Sequence, residues 1–285
     1  MQNQTELVTN GIPGVLGPDG FSIAWVQYQQ LMVHKLNEFT AGTNFENAET
    51  KAIVIQSARQ PEYARIFNFA SMAFNNHFFF EGLNTSETPS PIPNTLETRI
   101  LQDFGSIETL RQEMIGTAYS MFGPGFVWLV KVQTGASRYS MRDQSLRILT
   151  TYNAGSPLSG AHYRRQPVDM NTQTPPTSGS LSNEEFLRQN VPQNQVGYMG
   201  RYSTTQSSPL APGGADLEPL LCVNTWEHVW LRDWGIFGKE DYLQAWWKQI
   251  NWDMVAFRAN LQTSMRGSTG QQPARPNQGA EFMSS

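Results

Sequence analysis

The chain of 285 residues contains one cysteine and four histidines. A single cysteine, Cys222, excludes an intramolecular disulfide and any cluster of thiolates, and we expect it to be a buried, unreactive thiol. Charged residues make up only 15% of the chain, and the formal net charge is −4. This balance gives no overall attraction to nucleic acid, so an RNA contact would need a local patch or a protein neighbour.

Long apolar runs are also absent, and so are basic residues near the start of the sequence. No stretch reaches the roughly 18 apolar residues that a membrane-spanning helix needs, so no membrane contact is expected. The first basic residue is Lys35, whereas a mitochondrial transit peptide is rich in arginine. The sequence is that of a cytosolic protein, or of a chain whose numbering starts after a presequence has been removed.

Apolar residues recur at helical spacing in the first half of the chain. The pattern predicts helices over residues 22–39, 52–81, 96–104 and 106–121. Ser106 is the expected N-cap of the last of these helices. Residues 1–20 are polar and rich in glycine, which predicts a flexible segment with turns.

Strand composition follows the helices, with predicted strands over residues 126–132, 146–152 and 220–225. Residues 161–217 are dominated by Pro, Gln, Ser, Gly and Asn, and only residues 183–189 could form a short helix. A loop of this length inside a domain is normally functional or disordered. This insertion carries several arginines, so it is either a solvated loop or a segment that orders against RNA or a protein.

A last helix is predicted over residues 239–265 and a disordered tail over residues 266–285. Helices first, then a small sheet, then a helix is an order typical of an α+β fold. We predict an α-hairpin domain over residues 21–90, joined to an α+β domain over residues 91–265 that carries the insertion.

The segment 219–252 carries the most informative motif. Asn224 and His228 stand four residues apart and enclose Trp226 and Glu227. The motif resembles that of the iron/manganese superoxide dismutases, where a carboxylate and a histidine at this spacing supply two of four metal ligands. In this chain an amide stands in the carboxylate position.

Three more blocks extend this resemblance from about residue 21 to residue 261. They read FNNHFFF (74–80), FGSIETLRQEM with FGPGFVWLVK (104–114 and 122–131) and LRILTTYNAGSPL (146–158). The resemblance implies the fold of the family, an N-terminal α-hairpin domain and a C-terminal three-stranded antiparallel sheet with helices.

The resemblance also implies a mononuclear metal site of three histidines and one aspartate. Carried over to this chain, the four positions are Ala24, His77, Asn224 and His228. Two imidazoles and one neutral amide cannot supply the charge that holds iron or manganese. We therefore expect four vestigial positions, no metal cofactor and no catalytic residue.

Groups that surround the metal in the family are missing as well. Met32 falls at the position of the substrate-gate tyrosine, and Ala73 and Ala154 fall at the two alternative positions of the outer-sphere glutamine. The remaining histidines are not replacements: His34 lies about three helical turns beyond the first ligand position, and His162 lies in the insertion.

In the family, the glutamate beside the last ligand histidine reaches that histidine in the other subunit. Glu227 is retained beside His228, so the resemblance implies that the dimer interface is kept although catalysis is lost. Trp226 and Tyr28 are expected on the same surface. A buried glutamate without a partner is unfavourable, which favours a contact across an interface; an ion pair within the chain is the alternative.

Degenerate members of this family occur in the small subunit of fungal mitochondrial ribosomes, where two paralogues pair as a heterodimer, and this chain resembles them. The implied function is a metal-free, non-catalytic scaffold in the mitochondrial matrix. Its implied partners are the paralogue, other mitochondrial ribosomal proteins and, as a further candidate, small-subunit rRNA. Two alternatives stay open: a dismutase with an atypical metal site, and a stand-alone pseudoenzyme partner of an active dismutase.

Overall fold

A computed structural model of the chain describes residues 4–58, 60–134, 144–158 and 215–260. These residues form an α+β fold in which helices surround a three-stranded antiparallel sheet, which confirms the predicted fold class. Within the described ranges, no helix has both the length and the apolar character needed to cross a bilayer.

The first part of the described chain is helical. Its helices are α1 (Gln4–Asn10), α2 (Pro18–Phe21), α3 (Tyr28–Thr40), α4 (Thr50–Ser57), α5 (Ala64–Glu81), α6 (Asn94–Phe104) and α7 (Ile107–Ser120). A π-helical segment, Ser22–Gln27, joins α2 to α3 without a break. Helices α3 and α5 pack as an antiparallel hairpin, because Asn76 contacts Ala24 at one end and Phe69 contacts Phe39 at the other.

The helices predicted over residues 96–104 and 106–121 are confirmed to within two residues. The single helix predicted over residues 52–81 is wrong, since the chain leaves the helix after Ser57 and α5 begins only at Ala64. Pro61 explains the interruption: the residue before a proline avoids helical geometry, and Gln60 is extended, with φ −116° and ψ 105°.

The N-terminal stretch is packed, not flexible as its composition predicts. Residues 4–20 form α1, a tight turn and the start of α2. Leu7, Ile12 and Leu16 are buried in the main core. The carbonyl oxygen of Val15 accepts a hydrogen bond from Trp234 Nε1 at 2.8 Å, which ties this stretch to the C-terminal helices.

The sheet has the strand order β2-β1-β3, and both pairings are antiparallel. Its strands are β1 (Gly125–Thr134), β2 (Gln144–Tyr152) and β3 (Ala215–Asn224). All three predicted strands are confirmed, although β3 begins five residues before its predicted start. Most of the predicted insertion, its short helix and the predicted tail lie outside the described residues.

The C-terminal helices are α8 (Glu227–Trp234), α9 (Lys239–Lys248) and α10 (Trp252–Arg258). The prediction of one helix over residues 239–265 is therefore wrong, and α8 was not predicted. The chain breaks between α9 and α10 because Ile250 pairs with Leu83 in an isolated bridge. Asn251 then caps α10 by accepting a hydrogen bond from the Met254 amide.

The described residues form two apolar clusters, a smaller one around α4 and a larger one that extends from α1 to α10. The larger cluster joins Phe80 of α5, Trp128 of β1 and Trp246 of α9, all fully buried. The core is thus continuous across residues 90 and 91, and the division into two domains stays a prediction. Cys222 lies in the same core, where burial raises the pKa of its thiol and keeps it protonated.

Ser106→Ala should lower the free energy of unfolding by about 1 kcal/mol. Ser106 Oγ accepts a hydrogen bond from the Thr109 amide at 2.9 Å and so caps α7. The midpoint of denaturant unfolding measures the loss, and Ser106→Asp, which keeps an acceptor, should recover most of it. Equal midpoints for Ser106→Ala and the natural chain would contradict the role of this cap.

Candidate functional site

Four elements converge where the sequence predicts the former metal positions. Ala24 lies in the π-helical segment and Asn224 is the last residue of β3, and both are completely buried. His228 follows in the first turn of α8. The backbone carbonyl of Asn224 accepts a hydrogen bond from the buried Tyr242 hydroxyl at 2.8 Å, which fixes the end of β3.

On α5, the residue that faces Ala24 and Asn224 is Asn76, whereas the predicted residue, His77, points away from them. His77 is exposed, and its ring centroid lies 5.8 Å from that of Trp25. Asn76 is completely buried, and its Nδ2 donates to the Ala24 carbonyl oxygen at 3.2 Å. Successive residues of a helix point about 100° apart, so Asn76 can point inward while His77 points outward.

Three side-chain amides form a network in this site. Asn76 Nδ2 also donates to Gln29 Oε1 at 3.0 Å, and Asn224 Nδ2 donates to Asn76 Oδ1 at 3.5 Å. The network continues through Gln29 Nε2, which donates to the Ala73 carbonyl oxygen, and through Asn224 Oδ1, which accepts from the Trp226 amide at 2.9 Å. Sequence reasoning missed Gln29, whose only signal is its place one turn beyond Ala24.

The residues predicted for an interface also lie together. The rings of Tyr28 and His228 stack with their centroids 3.9 Å apart, and the Trp226 ring lies 5.6 Å from His228. His228 Nε2 and Trp226 Nε1 are buried and have no hydrogen-bond partner among the described residues. Glu227 is exposed and forms no ion pair within that part of the chain.

Burial sets the protonation state of the two stacked rings. It lowers the pKa of His228 to about 4, because a charged imidazole would lose its hydration. It raises the pKa of Tyr28 to about 12 for the same reason. Both rings are therefore neutral at pH 7.

The side chains present do not fit a redox-active iron or manganese ion. Of Ala24, Asn76, Asn224 and His228, only His228 carries an imidazole. No group of three His, Cys, Asp or Glu residues in those ranges could hold a metal ion. Neutral amides bind such ions weakly and do not offset their charge.

A cleft of about 840 Å³ opens beside the site, between the α3–α5 hairpin and the end of β2. Met32, Ala154 and Trp226 are among its lining residues. None of the described lining residues is a His, Asp, Glu, Lys, Arg or Cys, and the titratable side chains among them are the tyrosines Tyr28 and Tyr152. Met32 is buried at the predicted substrate-gate position, where it supplies no hydroxyl.

Two turns present large apolar side chains to solvent, which the sequence reading did not predict. Phe122 follows α7 and is 97% exposed, and Ile236 and Phe237, between α8 and α9, are 78% and 100% exposed. The second turn is bounded by Gly235, whose φ of 68° favours glycine, and by Gly238. Neighbouring, almost fully exposed large apolar side chains are typical of a surface that contacts another protein.

Lys239 links these two turns to each other and to Glu227. Its Nζ donates to the carbonyl oxygens of Tyr119 at 3.2 Å and Met121 at 2.9 Å, so the turn before α9 lies against the end of α7. Burial lowers the pKa of Lys239, and the negative charge of Glu227 opposes this shift. The two apolar turns are therefore neighbours.

Comparisons with known proteins agree with this architecture. The family described as iron/manganese superoxide dismutases, C-terminal domain, matches residues 92–168 and 193–258. Small ribosomal subunit protein mS43 of Schizosaccharomyces pombe is 27% identical over 251 residues, which cover 86% of this chain and 79% of that protein. Small ribosomal subunit protein mS42 of the same yeast is 29% identical over 71% of this chain and 70% of its own length. An iron superoxide dismutase of Legionella pneumophila is 24% identical over 81% of this chain and 83% of its own length.

Proposed function

Because the chain belongs to the iron/manganese superoxide dismutase family, we propose that it keeps this fold as a non-catalytic structural protein of the mitochondrial small ribosomal subunit. The observation that carries the proposal is the set of side chains that meet at the site: a methyl group at Ala24 and amides at Asn76 and Asn224, with His77 exposed to solvent. The likeness to two small ribosomal subunit proteins over most of the chain supports the ribosomal part.

The loss of activity follows from the chemistry of these residues. Dismutation requires a metal ion that exchanges single electrons with superoxide, and the family holds that ion with one carboxylate and three imidazoles. A methyl group and two amides cannot replace three of those ligands. We propose that Ala24, His77, Asn224 and His228 are the vestigial positions, and that the buried amide of Asn76 now fills the space beside Ala24 and Asn224.

We propose further that the chain pairs with a paralogue through the face that carries Tyr28, Trp226, Glu227 and His228. An N–H that is buried without an acceptor costs about 1–3 kcal/mol, so Trp226 Nε1 needs an acceptor that the described chain does not supply. A carboxylate of the partner would also accept a hydrogen bond from His228. Glu227, which has no ion pair among the described residues, would provide such a carboxylate to the partner.

The apolar turns extend this face and favour protein over RNA as its main contact. Phe122 and Phe237 offer aromatic surface, which is enriched at the centre of protein interfaces. With a net charge of −4, the chain has no excess of the basic residues that bind a phosphate backbone. Other ribosomal proteins in the mitochondrial matrix are the proposed further neighbours, and small-subunit rRNA is a secondary one.

We also propose that residues 21–90 and 91–265 are the two domains of the scaffold. The family match begins at residue 92, which supports a boundary near this point. The hairpin of α3 and α5 would then supply Ala24 and Asn76, and the C-terminal domain would supply Asn224 and His228. The former metal site would lie between the two domains.

Protein purified from its native source tests the proposal. We expect the chain to sediment with the small ribosomal subunit and to carry less than about a tenth of an iron or manganese ion. Gradient fractions give the first result and elemental mass spectrometry the second, with an authentic dismutase purified in parallel as the control. One ion per chain would favour an enzyme with an atypical site, and recovery with an active dismutase would favour a pseudoenzyme partner.

A further inference from the structure

We propose that Gln29, Asn76 and Asn224 form an amide clamp, a hydrogen-bonded network that holds together the parts of the chain which a metal ion holds together in the family. A metal ion in this fold holds its ligands from separate parts of the chain at one point. The amide clamp connects the same parts through hydrogen bonds. The inference rests on the family fold and is independent of the ribosomal assignment.

The bonds of the clamp join elements that are distant in the sequence. The Asn76–Ala24 bond links α5 to the π-helical segment across 52 residues, and the Asn224–Asn76 bond links β3 to α5 across 148 residues. Gln29 adds a second connection between α3 and α5. Each bond therefore closes a long-range contact of the fold.

Asn76, the central amide of the clamp, has a partner for each of its N–H groups and for its oxygen. The N–H groups donate to Ala24 and Gln29, and the oxygen accepts from Asn224. The neighbouring Asn75 is equally buried, yet its Oδ1 has no partner among the described residues. Satisfied polar groups are thus concentrated at the clamp, as expected where buried amides stabilise the fold.

This arrangement also opposes metal binding. An amide nitrogen has no lone pair to give a metal, and Asn76 directs its N–H groups toward Ala24 and Gln29. The Asn76 oxygen already accepts from Asn224 Nδ2. A π-helical turn is a geometry that often marks functional sites, and here the Ala24 carbonyl in that turn binds the clamp.

Asn224→Asp tests the clamp against a latent metal site. The change restores the carboxylate of the family but removes the donor to Asn76 Oδ1 and buries a charge. We expect the Tm of the full chain to fall by roughly 5–10 °C, and excess Fe²⁺, Mn²⁺ or Zn²⁺ not to restore it. Recovery of the Tm by any of these ions, with about one ion bound per chain, would overturn the proposal.

A double-mutant cycle tests whether the amides act together. The effects of Asn76→Ala and Asn224→Ala on the Tm should be non-additive. The decrease in Tm of the double variant should be clearly smaller than the sum of the two single decreases. His77→Ala is the matched control, since it changes the adjacent, exposed residue and should shift the Tm by no more than about 1 °C. Additive losses would overturn the clamp.

If the Asn224 variants do not fold, the double-mutant cycle of Gln29→Ala and Asn76→Ala tests the coupling between amides of the clamp instead. Gln29 is only half-buried, and alanine is well tolerated in a helix. Coupled losses are expected again, because Gln29 Oε1 accepts from Asn76 Nδ2. Independent losses at these two positions would overturn the proposal.

Discussion

Glu227→Gln is expected to weaken pairing with the paralogous partner by roughly tenfold to a hundredfold, while the free chain stays folded. The glutamine keeps the shape of the side chain and removes only its charge. Glu227 is exposed in the free chain and has no ion pair among the described residues, so its loss leaves no buried intrachain group unpaired. In the pair, the same charge would meet a buried imidazole of the partner.

The measurement is a titration of each variant with the partner recovered from the small subunit, at low and moderate salt. Glu113→Gln is the control, because Glu113 is an exposed glutamate of α7 without a described ion pair. Equal affinities for Glu227→Gln, Glu113→Gln and the natural chain would remove Glu227 from the interface. A loss of folding in Glu227→Gln, seen as a lower Tm of the free chain, would instead assign Glu227 an intrachain role.

Acidification is expected to destabilise the free chain between about pH 6.5 and pH 4 through His228. Burial lowers the pKa of His228 to about 4 in the folded chain, whereas the imidazole of an unfolded chain titrates near pH 6.5. The unfolded state therefore binds more protons across this window. The contribution of His228 to stability is complete above pH 6.5 and is lost as the pH falls, by at most about 1.4 kcal/mol per pH unit.

Denaturant unfolding at pH 7, 6 and 5 measures this loss. The variant His228→Gln separates it from the effect of carboxylates that titrate in a similar pH range. The difference between the natural chain and His228→Gln should change with pH, whereas His34→Gln, at an exposed position of α3, should follow the natural chain. Parallel curves for all three proteins would contradict a buried, neutral His228.

Pairing should reverse the pH effect. A partner carboxylate beside His228 stabilises the charged imidazole, so the pKa of His228 rises on association and the complex takes up a proton. Affinity for the partner should then increase as the pH falls from 7 toward 6. The opposite trend would separate His228 from the contact, even if Glu227 proves essential.

The sequence predicts the secondary structure best where one residue decides it. Ser106 caps α7, and β-branched and aromatic residues identify all three strands. Pro61 also indicates a break in the helix, but the aromatic residues around it favour one continuous helix, and the prediction follows the aromatic residues. The break near Asn251 depends on a bridge between Ile250 and Leu83, which no local pattern reveals.

The site is less predictable because it depends on helix register and on distant contacts. The motif predicts His77 as a former ligand position, and it gives no sign that the neighbouring Asn76 is buried while His77 is exposed. The partners of Asn76 are 47 to 148 residues away, so no local rule identifies them. The exposure of Phe122 and Phe237 also defied prediction, since large aromatic residues are normally assigned to the core.

The amides of Gln29, Asn76 and Asn224 come from the chain itself, and this changes how the protein reaches its final form. A metal-dependent scaffold is finished only after an ion has been delivered, and its stability follows the concentration of that ion. A scaffold closed by its own side chains is complete when folding ends. Its supply to the translation machinery of the organelle would then not vary with iron or manganese, so a cell short of either metal could still build the particle.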